Sequence, residues 1–237
     1  MNDLKRWSVA FGVGVAVLAG TVPAAYAEIR VSPYVWFEGL DGDGRVLDTL
    51  WAADADPFDL DHYDGGAAVT VEAVGERWAF LGSFASIDVA QETVDVGTPS
   101  GVGEVEASQT LIDGLVGYRL TRGGLYVVAG ARSLDYDVDL LSPVARSDSS
   151  DWLDPVVGLW YRADAPKWGV SIEGDLAVGG DSDDSYNIQS LIFWHFSHNV
   201  SLTLGYRALD AHFEDEGAGF RWRVVSKGPL AGLAFSF

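Results

Sequence analysis

The chain has 237 residues, a formal charge of −20 and no cysteine. That length suits one barrel or sandwich domain, and the charge excludes nucleic-acid binding, which depends on basic surface. Any oxidising compartment must be met without disulfide staples, while 28 glycines and nine tryptophans suit a closely packed sheet with aromatic girdles at two membrane interfaces.

Lys5 and Arg6 precede an apolar run from Val9 to Val22, and Ala25-Tyr26-Ala27 places small residues at the two positions a signal peptidase reads. Residues 1–27 are expected to be a cleaved secretory signal, not a spanning helix, which needs about 20 apolar residues. The remaining 28–237 then form one domain of charge −21, since residues 1–27 carry Asp3, Lys5 and Arg6. No later run is long enough for a helix to cross a bilayer, so membrane residence would be by strands.

From Glu28 to Leu40, Ile29, Val31, Val35 and Phe37 alternate with Arg30, Ser32, Tyr34, Trp36 and Glu38. That is the period of a strand with an apolar, lipid-facing side and a polar, lumenal side. Asp41 to Asp64 is dense in aspartate and predicts a long loop. Further strands are expected at about 67–73, 78–89, 104–120, 125–138, 152–163, 168–178, 186–196, 200–213 and 220–237. Gln91–Gly103, Leu140–Ser150, Gly179–Asp184 and Glu214–Gly219 read as polar loops. Gly75–Arg77, Thr121–Gly124, Asp164–Lys167 and Ser197–Asn199 read as short turns. In the last strand the alternation slips near Lys227-Gly228-Pro229, where a bulge is expected.

Short turns alternate with longer polar loops, and the strand number is even. This predicts an all-β fold: a single closed antiparallel transmembrane barrel of about ten strands, turns in the periplasm and loops outside. Eight or twelve strands stay open, because Arg45 to Trp51 can also pair. A soluble barrel of the lipocalin kind would put its apolar face inward instead.

The segments Ser32-Pro-Tyr-Val-Trp36 with Gly39-Leu40, Asp151 to Leu159, Leu204-Gly-Tyr-Arg207 and Gly228 to Phe237 resemble small outer-membrane β-barrel proteins of Gram-negative bacteria, akin to OmpA-type, opacity-type and porin-like barrels. The resemblance covers most of residues 28–237. It implies an outer-membrane location, outer-membrane lipids and lipopolysaccharide as surroundings, and a monomer. Gly232, Leu233, Phe235 and Phe237 resemble the C-terminal signal such barrels present to the barrel-assembly machinery. The motifs carry no catalytic residue, and no enzyme activity, cofactor or metal is expected.

The inward faces gather Glu38, Glu72, Asp113, Arg119, Arg132, Asp154, Arg162, Glu173, Asp175 and Arg207. Such a set either lines a narrow selective pore or fills the lumen as mutually paired charges. Barrels of about eight strands are filled by side chains and open porins need about 16–18, so scaling favours the plug. His195-Phe-Ser197, with His198 beside it, has the strand spacing of a lipid hydrolase, but Ser197 falls in a periplasmic turn away from outer-leaflet lipid. The aspartates from Asp41 to Asp64 and Asp181, Asp183 and Asp184 could bind divalent ions, although Asp41-Gly-Asp-Gly lacks the other ligands of a calcium loop. Solvated, mutually repelling loops are the simpler reading. His62 and His212 have no metal-ligand spacing. The expected role is an envelope-structural barrel or a narrow, low-conductance channel. The alternatives are a surface binding or adhesion module acting through acidic loops and, behind it, a lipid hydrolase.

Overall fold

The computed structural model describes residues 28–46, 49–54, 63–94, 103–142, 145–215 and 219–237. The expected signal segment, with Ala25 and Ala27, lies outside the described residues, as do His62 and the aspartates at 48, 56, 59 and 61. Twelve strands are formed: β1 (Glu28–Trp36), β2 (Gly39–Val46), β3 (Thr49–Asp54), β4 (Tyr63–Val74), β5 (Trp78–Val94), β6 (Gly103–Arg119), β7 (Leu125–Ser142), β8 (Arg146–Asp164), β9 (Trp168–Ala177), β10 (Asp184–His195), β11 (Val200–Asp215) and β12 (Phe220–Ser236).

Ten of them, β1 and β4 to β12, close a single antiparallel barrel. Val31 of β1 stands between Val71 of β4 and Phe235 of β12, so first and last strands meet. Closure gives each of the ten barrel strands a neighbour on both sides, the condition for a sheet in lipid.

The expected loop from Asp41 to Asp64 is largely strand. β2 takes over from β1 as the partner of β12, pairing Gly39–Arg45 with Arg221–Lys227, and β3 pairs β2 to complete a hairpin. Opposite charges make this possible: Asp41 accepts from Lys227 at 2.8 Å, Asp43 from Arg221 at 2.6 Å, and Glu214 from Arg45 at 3.0 Å. These aspartates are paired across strands and do not repel one another as loop residues. At Gly44 a Cβ would sit 2.5 Å from the Trp51 ring, so glycine lets that indole lie on the β2 backbone.

The bulge expected at Lys227–Pro229 is absent. The register between β11 and β12 runs unbroken through Arg207↔Gly228 and Tyr206↔Pro229. On the other side the register is kept as well: Trp36 faces Leu230 and Gly39 faces Lys227, and Phe37, between β1 and β2, donates its N–H to the Pro229 carbonyl at 2.9 Å. Pro229 fits there because it has no N–H to donate. Parity was misread because Phe220 and Trp222 are large and apolar yet face inward.

The loops expected at Gln91–Gly103 and Leu140–Ser150 are shorter than predicted, since β5 runs to Val94, β6 starts at Gly103, β7 reaches Ser142 and β8 begins at Arg146. Polar residues belong to a strand there because only its outer face is wet: Asp135 and Asp137 point out, while Leu134, Tyr136 and Val138 point in. On β6 and the residue after it the outward apolar residues run from Ile112 to Leu120. Strands tilted by about 40° make that belt roughly 20 Å tall, comparable with the band of an outer-membrane barrel. Trp78, Tyr118, Trp168, Trp194 and Phe196 form its lower girdle. The turns below are tight; Gly124 has φ +85°, and a Cβ there would strike the Arg162 carbonyl.

Candidate functional site: a filled lumen and its periplasmic mouth

Strand alternation delivers every second residue to the lumen, and four layers result. The lowest, at the end of the short turns where a periplasmic face is expected, is ionic. Asp164 accepts from Arg30 Nη2 at 2.7 Å and Arg162 Nε at 2.9 Å, and Glu28 pairs with Arg162. Glu72 lies between the two guanidiniums, 3.7 Å from Arg30 and 3.5 Å from Arg162. It also accepts from Ser171 Oγ at 2.9 Å, whose oxygen accepts from Trp160 Nε1 at 2.8 Å. Above this, Gln189 Nε2 donates to the Tyr34 hydroxyl at 3.3 Å.

The third layer is the densest network. Arg132 donates to Asp113 at 2.7 Å and to both Asp175 oxygens at 2.8 and 3.0 Å. Arg207 donates to the other Asp113 oxygen at 2.8 Å and to Asn187 Oδ1 at 2.8 Å. Ser83 Oγ adds a bond to Asp113 at 2.7 Å, and Asn187 Nδ2 donates to Asp175 at 3.0 Å. Two cations and two carboxylates are thus paired, which offsets much of the cost of burying charge, although Nη1 of both Arg132 and Arg207 is buried without a hydrogen-bond partner.

The fourth layer is aromatic. Trp51 meets Trp222 with ring centroids 5.5 Å apart, Trp222 meets Tyr136 at 4.1 Å, Tyr136 meets Trp152 at 5.3 Å, and Trp152 stacks on Phe213 at 4.6 Å. Arg207 lies 5.4 Å from the Trp36 ring centroid and joins this layer to the one below. Five tryptophans, Trp36, Trp51, Trp152, Trp160 and Trp222, are fully buried, whereas composition alone suggested girdles.

The charge set expected from the sequence is therefore brought together only in part. Glu72, Asp113, Arg132, Arg162, Asp175 and Arg207 form paired networks. Arg119 faces inward but donates to the Tyr126 hydroxyl and the Gly75 carbonyl, outside any ion pair. Asp154 is capped by the backbone N–H groups of Asp181 and Ser182 at 3.2 and 3.0 Å, so it ties down the β9–β10 loop. Glu38 has Ser226 and Arg207 nearby, yet both its oxygens are buried without a hydrogen bond. Glu173 has the carboxylates Asp175 and Asp113 as foremost electrostatic neighbours, ahead of Arg207 and Arg132. Mutual pairing thus fails for Arg119, Asp154, Glu38 and Glu173.

The network also recruits Arg30, Asn187 and Ser171. Parity placed Arg30 inside, but its partners come from strands far away in sequence.

His195 and Ser197 bond to different partners. His195 Nδ1 meets Ser201 Oγ at 2.7 Å and its Nε2 lies 3.7 Å from Asp164, while Ser197 Oγ caps its own turn by accepting from Val200 N–H at 3.1 Å. Ser201 is buried. His212 is flanked by Asp184 at 2.6 Å and Asp210 at 3.1 Å. Among the described residues no group of acidic and histidine side chains has metal-binding geometry. At the C-terminal end, Leu233, Phe235 and Phe237 point outward, and Phe237 N–H donates to the Ile29 carbonyl at 2.9 Å.

Among solved structures, the chain is similar to the outer membrane protease OmpT from Escherichia coli, with 8% identity, 92% of this chain and 99% of that chain covered, and a TM-score of 0.59. It is also similar to the translocator domain of the autotransporter NalP from Neisseria meningitidis, with 10% identity, 100% and 98% covered, and a TM-score of 0.42. A third is Ail, the attachment invasion locus protein of Yersinia pestis, with 12% identity, 89% and 97% covered, and a TM-score of 0.37. No protein-family model matches the chain, and no curated protein matches it in sequence. At such identities the likeness is one of fold: the chain is an outer-membrane-type β-barrel.

Proposed function

We propose that this protein is a closed, non-conducting barrel of the Gram-negative outer membrane with an envelope-structural role. The aromatic layer carries the reading. Trp222 and Tyr136 come from opposite walls and touch, and the paired network of Asp113, Arg132, Asp175 and Arg207 lies beneath. A hydrated path would have to part both. The outward belt and aromatic girdle support residence in outer-membrane lipid, the alternating C-terminal residues are the proposed signal to the assembly machinery, and no catalytic role, cofactor or partner subunit is assigned. The test is the purified protein in a planar bilayer. Silence after verified insertion is expected, and steady, salt-dependent conductance steps would overturn the reading in favour of a narrow channel. Membrane residence is tested separately by cell fractionation.

A second reading has its own observation. Above the belt the outer face of β5–β8 carries Asp88, Glu106, Asp135, Asp137 and Asp151, with Asp135 opposite Asp151. This surface would engage lipopolysaccharide phosphates through shared divalent cations. A barrel whose thermal stability in lipopolysaccharide-containing micelles ignores magnesium and chelator alike would exclude it.

A further inference from the structure

We infer that the periplasmic mouth of the barrel binds the phosphate headgroup of an inner-leaflet phospholipid. A cavity of about 780 Å³ opens there. Its two carboxylates are already taken: Asp164 by Arg30 and Arg162, and Glu28 by Arg162. Its remaining cationic and donor groups stand on two turns. Lys167 follows β8, and His198 and Asn199 follow β10, with His195 between them and the lumen. Lys167 and His198 are exposed and form no ion pair among the described residues, so the cavity presents unspent positive charge.

The surroundings point the same way. In a chain of charge −20, the periplasmic end carries Arg30, Arg77, Arg119, Arg122, Arg162 and Lys167 against Glu28, Glu72, Glu76 and Asp164. A net excess of cations at one end attracts anions to it. Phe196 and Phe237, 65% and 76% exposed, line the cavity and also belong to the outward aromatic rim. The cavity is thus continuous with the lipid interface. An anion lodged there can remain joined to acyl chains lying against the rim, and a phosphodiester meets that description. Lysine is a strong point-charge partner for phosphate, and the imidazole of His198 adds a donor, whereas the Asn199 amide already donates to the Ser236 carbonyl at 2.7 Å and His195 already meets Ser201. The inference rests on the membrane reading above, which fractionation tests independently.

The experiment uses the full protein in a neutral detergent, titrated with short-chain phosphatidylglycerol and followed by phosphorus NMR line broadening. Saturable binding is expected, weakened about tenfold or more in Lys167→Gln/His198→Gln, the size of one lost charge-assisted hydrogen bond. Arg122→Gln, on a turn that does not line the cavity, removes only a distant share of the attracting charge and should weaken binding less than about twofold, and an unshifted heat-modifiable gel mobility checks that each variant is folded. Equal binding by the double variant, equal weakening by Arg122→Gln, or the absence of saturable binding would overturn the proposal. Inorganic phosphate binding as tightly would also overturn it, in favour of a site for a free periplasmic anion.

Discussion

Tyr136 and Trp222 lie with ring centroids 4.1 Å apart, although they come from β7 and β12, which share no edge. Their contact therefore spans the lumen. The two rings bring the walls to van der Waals distance, and Trp51 and Trp152 continue the layer on either side. A sheet closed by ten strands encloses about this much space, so aromatic side chains fill it where smaller ones would leave a water-filled gap.

Tyr136→Ala/Trp222→Ala removes both sides of this contact. Each truncation of a buried aromatic costs about 3–5 kcal/mol, within reach of a barrel held by continuous hydrogen bonding. The double variant is expected to fold with a lowered thermal midpoint and to show small, flickering conductance where the parent is silent. Planar-bilayer recording checks this. Silence in a folded double variant would mean that the ionic layer seals the lumen by itself.

The two buried carboxylates Asp113 and Glu38 predict opposite signs. Asp113 neutralises Arg132 and Arg207 at 2.7 and 2.8 Å. Asp113→Asn leaves two guanidiniums short of charge in the interior and should destabilise by about 3–5 kcal/mol. Glu38 has no hydrogen bond for either oxygen. Glu38→Gln retains its shape while removing a buried carboxylate that Arg207 offsets only through space and no hydrogen bond satisfies, so it should stabilise by about 1 kcal/mol. Guanidinium unfolding in detergent decides both.

How far the lumen could be foreseen follows from what alternation encodes. Parity alone placed Arg132, Asp113, Asp175 and Arg207 inside, since a period of two assigns every residue of a strand to one face. Which inward charges meet depends on stagger around the barrel, and this is why Arg119, Asp154, Glu38 and Glu173 do not join the networks. The aromatic layer was hidden for a different reason. Phe220, Trp222 and Trp152 are apolar, and apolar residues on a membrane barrel read as lipid-facing until their register is known. The hairpin β2–β3 is legible only as the open alternative that Arg45 to Trp51 can pair, because Asp41 and Asp43 are strand-averse and their partners Lys227 and Arg221 lie at the far end of the chain.

Gly124 tests the turn below β7. Its φ is +85°, and a Cβ would lie 1.9 Å from the Arg162 carbonyl oxygen, while its own carbonyl accepts from Arg162 N–H at 2.9 Å. Gly124→Ala combines left-handed backbone strain with a clash and should cost about 1–3 kcal/mol. Gly123→Ala, whose Cβ would approach only the Thr121 hydroxyl at 3.7 Å, should be near neutral. Comparing the two by heat-modifiable gel shift isolates the backbone requirement.

Asp135 stands outside the lipid belt, on the outer face of β7. Burial, then Asp137 and Asp151, raise its carboxyl above the usual carboxylate range. A raised folded-state value means that the folded chain holds this proton more tightly than the unfolded chain. The charged form is therefore a destabilisation present above the folded value. It fades as the pH falls from there towards the unfolded value of about 3.9. Asp135→Asn should accordingly stabilise at neutral pH by about 0.2–0.5 kcal/mol, the scale of an exposed like-charge pair across strands. The gain should shrink on acidification and shrink again in high salt, which screens surface charges. Thermal midpoints of parent and variant from pH 7 to pH 4 check this, and a difference that grows on acidification would overturn it.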